Sequence, residues 1–180
     1  MIAAYYYSAG ILQGYPTAIC YQHDAMSFGS GIVDVERGKF AAAEDLSILE
    51  DIGNWLSTNG EAIYRSRPWR YASEGPTQEV EGQFSDGSAT EYTGSDFRFT
   101  AGNGCIYATC LHYPEDGQIN IKSLAKSKDP NKPAFHGIIT DVDILGFEEK
   151  PEFCIDENGL WFATKTIQSA FPVVLKIHTD

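Results

Sequence analysis

Two patterns of apolar and polar positions meet near residue 70. Before that point helix-like and strand-like periods are mixed; after it short apolar runs alternate with polar turns. Over residues 47–58, Ile48, Leu49, Ile52, Trp55 and Leu56 recur at three- and four-residue spacing, which puts them on one face of a helix. Ser47 with Glu50 fits a capping box, and Asn59-Gly60 supplies residues that tolerate the left-handed conformation at a helix end. So broad an apolar face requires a packing partner. Further upstream, residues 1–13 are rich in aromatics and end near Gly14-Tyr15-Pro16, punctuation that marks a helix end. Residues 16–22 and 31–36 read as short buried strands, the second through β-branched Ile32, Val33 and Val35.

From Glu79 onward strand-like runs follow one another at 79–84, 97–100, 105–111, 118–121, 138–145, 152–155, 160–164 and 173–178. Asp86-Gly87, Asn103-Gly104, Asp116-Gly117 and Asn158-Gly159 each place glycine where a hairpin needs a positive φ. Pro172 stands at a strand start, where its missing N–H does no harm. The expected fold is therefore mainly β: an antiparallel β-sandwich over residues 70–180, preceded over residues 1–69 by a mixed α/β segment and its linking helix.

Charge removes some classes of function. With 25 acidic against 13 basic side chains the net charge is -12, which argues against nucleic acid, whose phosphates need clustered Lys and Arg. No apolar run approaches the ~20 residues of a membrane-spanning helix, so no membrane partner is expected. The start, Met1 to Tyr7, lacks the basic head and long apolar stretch of a secretory signal; if Met1 is the native start, a cytoplasmic location is expected. Cys20, Cys105, Cys110 and Cys154 form no CxxC pair and have no histidine spaced as a zinc partner, so no metal or cofactor is expected. Cys105 and Cys110 share one apolar run and read as core residues.

Three stretches carry a resemblance. Ile52-Gly53-Asn54-Trp55-Leu56, running into Asn59-Gly60-Glu61-Ala62-Ile63-Tyr64 and then Arg67-Pro68-Trp69, resembles the last barrel helix and the exit into the sandwich of family 29 glycoside hydrolases, the retaining α-L-fucosidases. Ala3-Ala4-Tyr5-Tyr6-Tyr7, His23-Asp24-Ala25 and Asp34-Val35-Glu36-Arg37-Gly38 resemble a barrel helix, the next strand and the acid/base segment of the bacterial members. Glu74-Gly75-Pro76-Thr77 and Asp96-Phe97-Arg98-Phe99-Thr100 resemble the start of their sandwich domain. The resemblance implies that residues 1–69 are a remnant of a (β/α)8 barrel and that the ligand is a fucosylated glycan or a small fucoside. Retaining glycosidases use two carboxyl groups about 5–5.5 Å apart, one as nucleophile and one as acid and then base. On the resemblance Glu36 takes the acid/base role, and His23 and Asp24 line the sugar pocket. By spacing alone Glu36 beside Arg37 reads as a surface ion pair, and His23 with Asp24 reads equally as a structural hydrogen-bonded pair.

The resemblance also has gaps. The family's nucleophilic aspartate lies upstream of the Ala-Ala-Tyr-Tyr-Tyr segment, and neither Asp24 nor Asp34 matches its motif, so the nucleophile is unassigned. Only residues 39–46 fill the interval in which family members carry further barrel elements. A full barrel takes about 250 residues. Strands left with bare edges are covered by another chain, so a homo-oligomer is expected, and with it a site that oligomerisation can complete across subunits. The alternative is a non-catalytic sandwich that binds sugar or assembles with protein, for which Trp161, Tyr113 and Tyr92 are the candidate stacking aromatics.

Overall fold

The computed structural model describes residues 19–22, 25–28, 31–33, 43–77, 91–126 and 135–180. The chain divides into two compact units, Met1–Ser57 with Glu79–Thr90, and Thr58–Gln78 with Glu91–Asp180.

In the first unit β1 (Ile19–Gln22), β2 (Ala25–Phe28) and β3 (Gly31–Val33) form an antiparallel meander. The strands expected around 16–22 and 31–36 are present, with β2 between them as a hydrogen-bonded partner of both; a (β/α)8 barrel would pair its strands in parallel. Helix α1 (Ala43–Asn59) follows. Ile48, Leu49, Ile52, Trp55 and Leu56 are half-buried while Glu50, Gly53, Asn54 and Ser57 are exposed, so the expected apolar face is the packed one. Ser47 is not its cap. The helix starts four residues earlier at Ala43, where a strong helix former followed by Glu44 and Asp45 suits the positive end of the helix dipole. The segments expected as a helix within residues 1–13 and as a strand at 79–84 lie outside the described residues.

The second unit opens with a 3-10 turn, Gly60–Ala62, that continues from α1. Asn59 has φ -106° and Gly60 is not left-handed, so the expected left-handed helix exit at Asn59-Gly60 does not form. Glycine serves a close approach there instead: a Cβ on Gly60 would stand 2.8 Å from the Tyr64 ring. The left-handed residue is Arg65, at φ 61°. Beyond it run β4 (Arg67–Glu74), β5 (Phe97–Gly102), β6 (Cys105–Cys110), β7 (Gln118–Ile121), β8 (Ile139–Ile144), β9 (Phe153–Asp156), β10 (Gly159–Ala163) and β11 (Val173–Thr179).

These strands make a five-stranded sheet in the order β4-β5-β6-β11-β8 and a three-stranded sheet in the order β7-β10-β9, every pairing antiparallel. Phe97, Phe99, Ile106, Leu175 and Ile177 of the larger sheet meet Ile119, Ile121, Leu160 and Phe162 of the smaller one in a single buried core. That is a β-sandwich, as the alternating runs imply. Each fully buried Leu, Ile or Phe side chain contributes about 1.5–3 kcal/mol. Asn103 (φ 53°) and Gly104 (φ 75°) form the two-residue turn between β5 and β6, where both positions need positive φ.

Strand β4 has no counterpart in the pattern reading. Most of its residues are exposed, Pro68 interrupts it, and its pairing with β5 shifts register between Pro68 and Ser73. It is an edge strand whose regularity comes from its neighbour. Its last residue clasps the unit: Glu74 accepts the backbone N–H of Lys122 and of Ser123, each at 2.7 Å.

Candidate functional site

Glu36, His23 and Asp24, the residues assigned to chemistry and sugar contact, lie outside the described residues. In sequence His23 and Asp24 separate β1 from β2, and Glu36 stands three positions past the end of β3.

The candidate stacking aromatics fall into different environments. Tyr113 is buried and its hydroxyl lies 2.8 Å from Thr164 Oγ1, so its ring packs in the core and is closed to a sugar. The Tyr92 ring is half-buried with the Arg98 guanidinium 5.7 Å from its centre. Trp161 is 37% exposed on the outer face of β10, and its indole N–H donates to Asp156 Oδ1 at 3.2 Å. Of these, Trp161 presents the most open aromatic surface, braced at one edge by a carboxylate.

The outer face of the five-stranded sheet carries a polar cluster. Register sets Lys176 opposite Tyr107 and His178 opposite Cys105 on β11 and β6. Glu61, from the 3-10 turn, accepts from Lys176 Nζ at 2.7 Å and from the Tyr107 hydroxyl at 3.3 Å. Thr100 adds a bond at 2.6 Å to the Ala62 carbonyl, so the turn is tied to the sheet through backbone and side chain. Burial, then the Glu61 charge, pushes the Tyr107 hydroxyl above its ordinary pKa.

Beside this lies a line of three groups. Cys105 Sγ is 3.6 Å from His178 Nδ1, and His178 Nε2 is 2.8 Å from Asp143 Oδ2. Lys150 braces Asp143 at 3.1 Å and Asp141 at 2.7 Å. The hydrogen bond from His178, then that from Lys150, holds the Asp143 carboxyl below the usual range. The two ring nitrogens of His178 thus face the Cys105 thiol on one side and the Asp143 carboxylate on the other. Burial raises the Cys105 thiol above its ordinary pKa, so it rests protonated. The groups stand in line rather than converging, and no cluster among the described residues would hold a metal ion.

At the same end of the unit an open cavity of about 550 Å³ is lined by Arg65, Arg67, Trp69, Asn103, Cys105 and Asp180, among others. Arg65 and Arg67 are exposed, and among the described residues no ion pair is formed by either of them. Trp69 gives the wall an aromatic surface and packs against Phe99, with ring centres 5.3 Å apart. Pattern reading did not reach this cavity. The signal was faint but present: Arg65, Arg67 and Arg70 fall within six residues of an acidic chain. The Cys105–His178 pairing depends on register between strands 73 residues apart and has no local signature.

No family model matches the chain. It is similar to the tissue alpha-L-fucosidase of Rattus norvegicus, 40% identical over 72 residues, which are 40% of this chain and 12% of that protein. To the tissue alpha-L-fucosidase of Mus musculus it is 39% identical over 91 residues, 51% of this chain and 16% of that protein. The chain thus spans a small part of the length of the curated relatives it matches. Among solved structures it resembles the Thermotoga maritima alpha-fucosidase in complex with a mechanism based inhibitor. The TM-score there is 0.53 at 21% identity, over 78% of this chain and 27% of that one, a likeness of fold. The sequence is thus similar over part of its length to alpha-L-fucosidases, and its fold is like that of a solved alpha-fucosidase.

Proposed function

We propose, from this partial similarity to alpha-L-fucosidases, that the chain serves a retaining α-L-fucosidase acting on terminal α-L-fucosides. The observation that carries this reading is the 40% identity to a tissue alpha-L-fucosidase. Glu36 is the acid/base: it protonates the departing glycosidic oxygen and then takes a proton from the water that resolves the glycosyl intermediate. That role needs a carboxyl group that holds its proton at working pH. His23 and Asp24 bind the fucose hydroxyls, and the nucleophilic carboxylate is unassigned. A site completed between copies of the chain belongs to the same proposal.

The test is hydrolysis of an activated aryl α-L-fucoside, assayed across size-exclusion fractions of determined mass. Turnover is expected in an oligomeric fraction, and Glu36→Gln is expected to lower it by at least ~10²-fold with the unfolding midpoint unchanged. Unchanged turnover in that variant removes Glu36 from the mechanism. Fucose binding by calorimetry with no turnover in any fraction would replace the enzyme with a sugar-binding module.

A further inference from the structure

We propose that the open cavity at Arg65, Arg67 and Trp69 is a binding site for one acidic sugar residue, a pyranose ring that carries a carboxylate or a sulfate. The inference does not rest on the glycosidase reading, since it uses none of Glu36, His23 and Asp24. Charge is the first support. In a chain of net charge -12, two arginines line one cavity, and neither forms an ion pair among the described residues. Each guanidinium offers a fork of N–H donors that fits two oxygens of a carboxylate or a sulfate. Asp180, which lines the cavity too, opposes that charge but can accept from sugar hydroxyls.

The backbone is the second support. Arg65 stands at φ 61°, a left-handed conformation with a steric cost that glycine escapes. The turn around it is fixed. The Gly60 carbonyl accepts the N–H of Ile63 at 3.0 Å and of Tyr64 at 2.7 Å, and Ser66 Oγ donates to the Ile63 carbonyl at 3.0 Å. A bulky cation where glycine would suit the backbone better points to a side chain kept for what it binds. The third support is the apolar wall. Trp69 and Phe135 line the same cavity with ring centres 6.3 Å apart, and its volume of about 550 Å³ lies in the range of small-molecule sites. Flat rings take the C–H face of a pyranose, and the exposed Asn103 amide both donates and accepts toward its hydroxyls. A bare anion would use only the arginines, and a neutral sugar only the rings and the amide. An acidic sugar uses both sets.

The experiment follows the indole N–H signals of Trp55, Trp69 and Trp161 by NMR in the full chain. It is titrated in turn with glucuronic acid, glucose 6-sulfate, glucose, sodium acetate and sodium sulfate. Glucuronic acid, glucose 6-sulfate or both are expected to move the Trp69 signal, and to bind at least ~10-fold more tightly than glucose or either salt. Which of the two acids binds tells whether a carboxylate or a sulfate is read. Raising the ionic strength should weaken that binding. Arg67→Gln should weaken it by ~10-fold with the unfolding midpoint unchanged. Arg65→Gly should weaken it to a similar degree while the midpoint holds or rises, because the left-handed backbone is relieved of its side chain. An arginine kept only for structure would not separate the two readouts in that way. Neither acid moving Trp69, glucose or a salt matching the acids, or either arginine variant keeping full affinity would each overturn the proposal.

Discussion

Strand β6, inside the five-stranded sheet, is buried along its whole length, whereas β10, at the centre of the three-stranded sheet, has Trp161 and Ala163 exposed on its outer face. Both strands contribute apolar residues to the same core. The difference lies in what sits on the other side. The Gly60–Ala62 turn is bound to the outer face of the larger sheet through Thr100, Tyr107 and Lys176, while the outer face of β10 carries a Trp161–Asp156 contact open to solvent. A strand covered on both faces reads as a continuous apolar run, here Cys105 to Cys110, and a strand covered on one face alternates.

The largest test of that contrast is to remove the buried outer-face ring. Tyr107→Ala should cost about 3–5 kcal/mol in urea unfolding, since the ring is fully enclosed. A loss under about 1 kcal/mol would mean that the turn does not seal this face in solution.

Next comes Asp96, at the entry to β5, whose carboxylate accepts from the backbone N–H and hydroxyl of both Thr77 and Thr93 at 2.7–3.0 Å. Burial would raise its pKa, but these four bonds outweigh it and the net shift is downward. Asp96→Asn offers an amide N–H₂ to groups that are themselves donors, and should cost about 2–3 kcal/mol at neutral pH. A lowered folded pKa means the stabilisation is present above the ordinary carboxylate value of about 3.9 and fades as pH falls through the folded value. The gap between parent and variant should therefore close under acid. A gap independent of pH would assign the loss to packing.

The smallest effect belongs to the open sheet. Trp161→Ala should shift stability by about 1 kcal/mol or less, because the ring is partly in water already. A loss as large as that of Tyr107→Ala would mean that the outer face of β10 is covered in the folded protein, and the contrast between the sheets would fall.

Much of the sandwich was legible because its strands are short apolar runs punctuated by glycine turns. The runs at 97–100, 118–121, 160–164 and 173–178 reappear within a residue or two as β5, β7, β10 and β11. Strand β4 was not legible, since an exposed edge strand containing proline carries no alternation. The onset of α1 was missed because Ser47 and Glu50 imitate a cap inside a helix that already runs from Ala43. The line through Cys105, His178 and Asp143 was invisible for a different reason. It is made by register across three strands, and register is fixed by the whole sheet.

The place of β11 has a consequence for the order of events in synthesis. It comes after both β6 and β8 in the sequence, yet it lies between them rather than at an edge. Until residues 173–179 emerge from the ribosome, β6 and β8 each lack a hydrogen-bonding partner on the side that β11 will fill. The sheet is thus completed from its middle by a strand made later than both its neighbours, and a nascent chain halted before that strand exposes two unpaired strand edges to the cell.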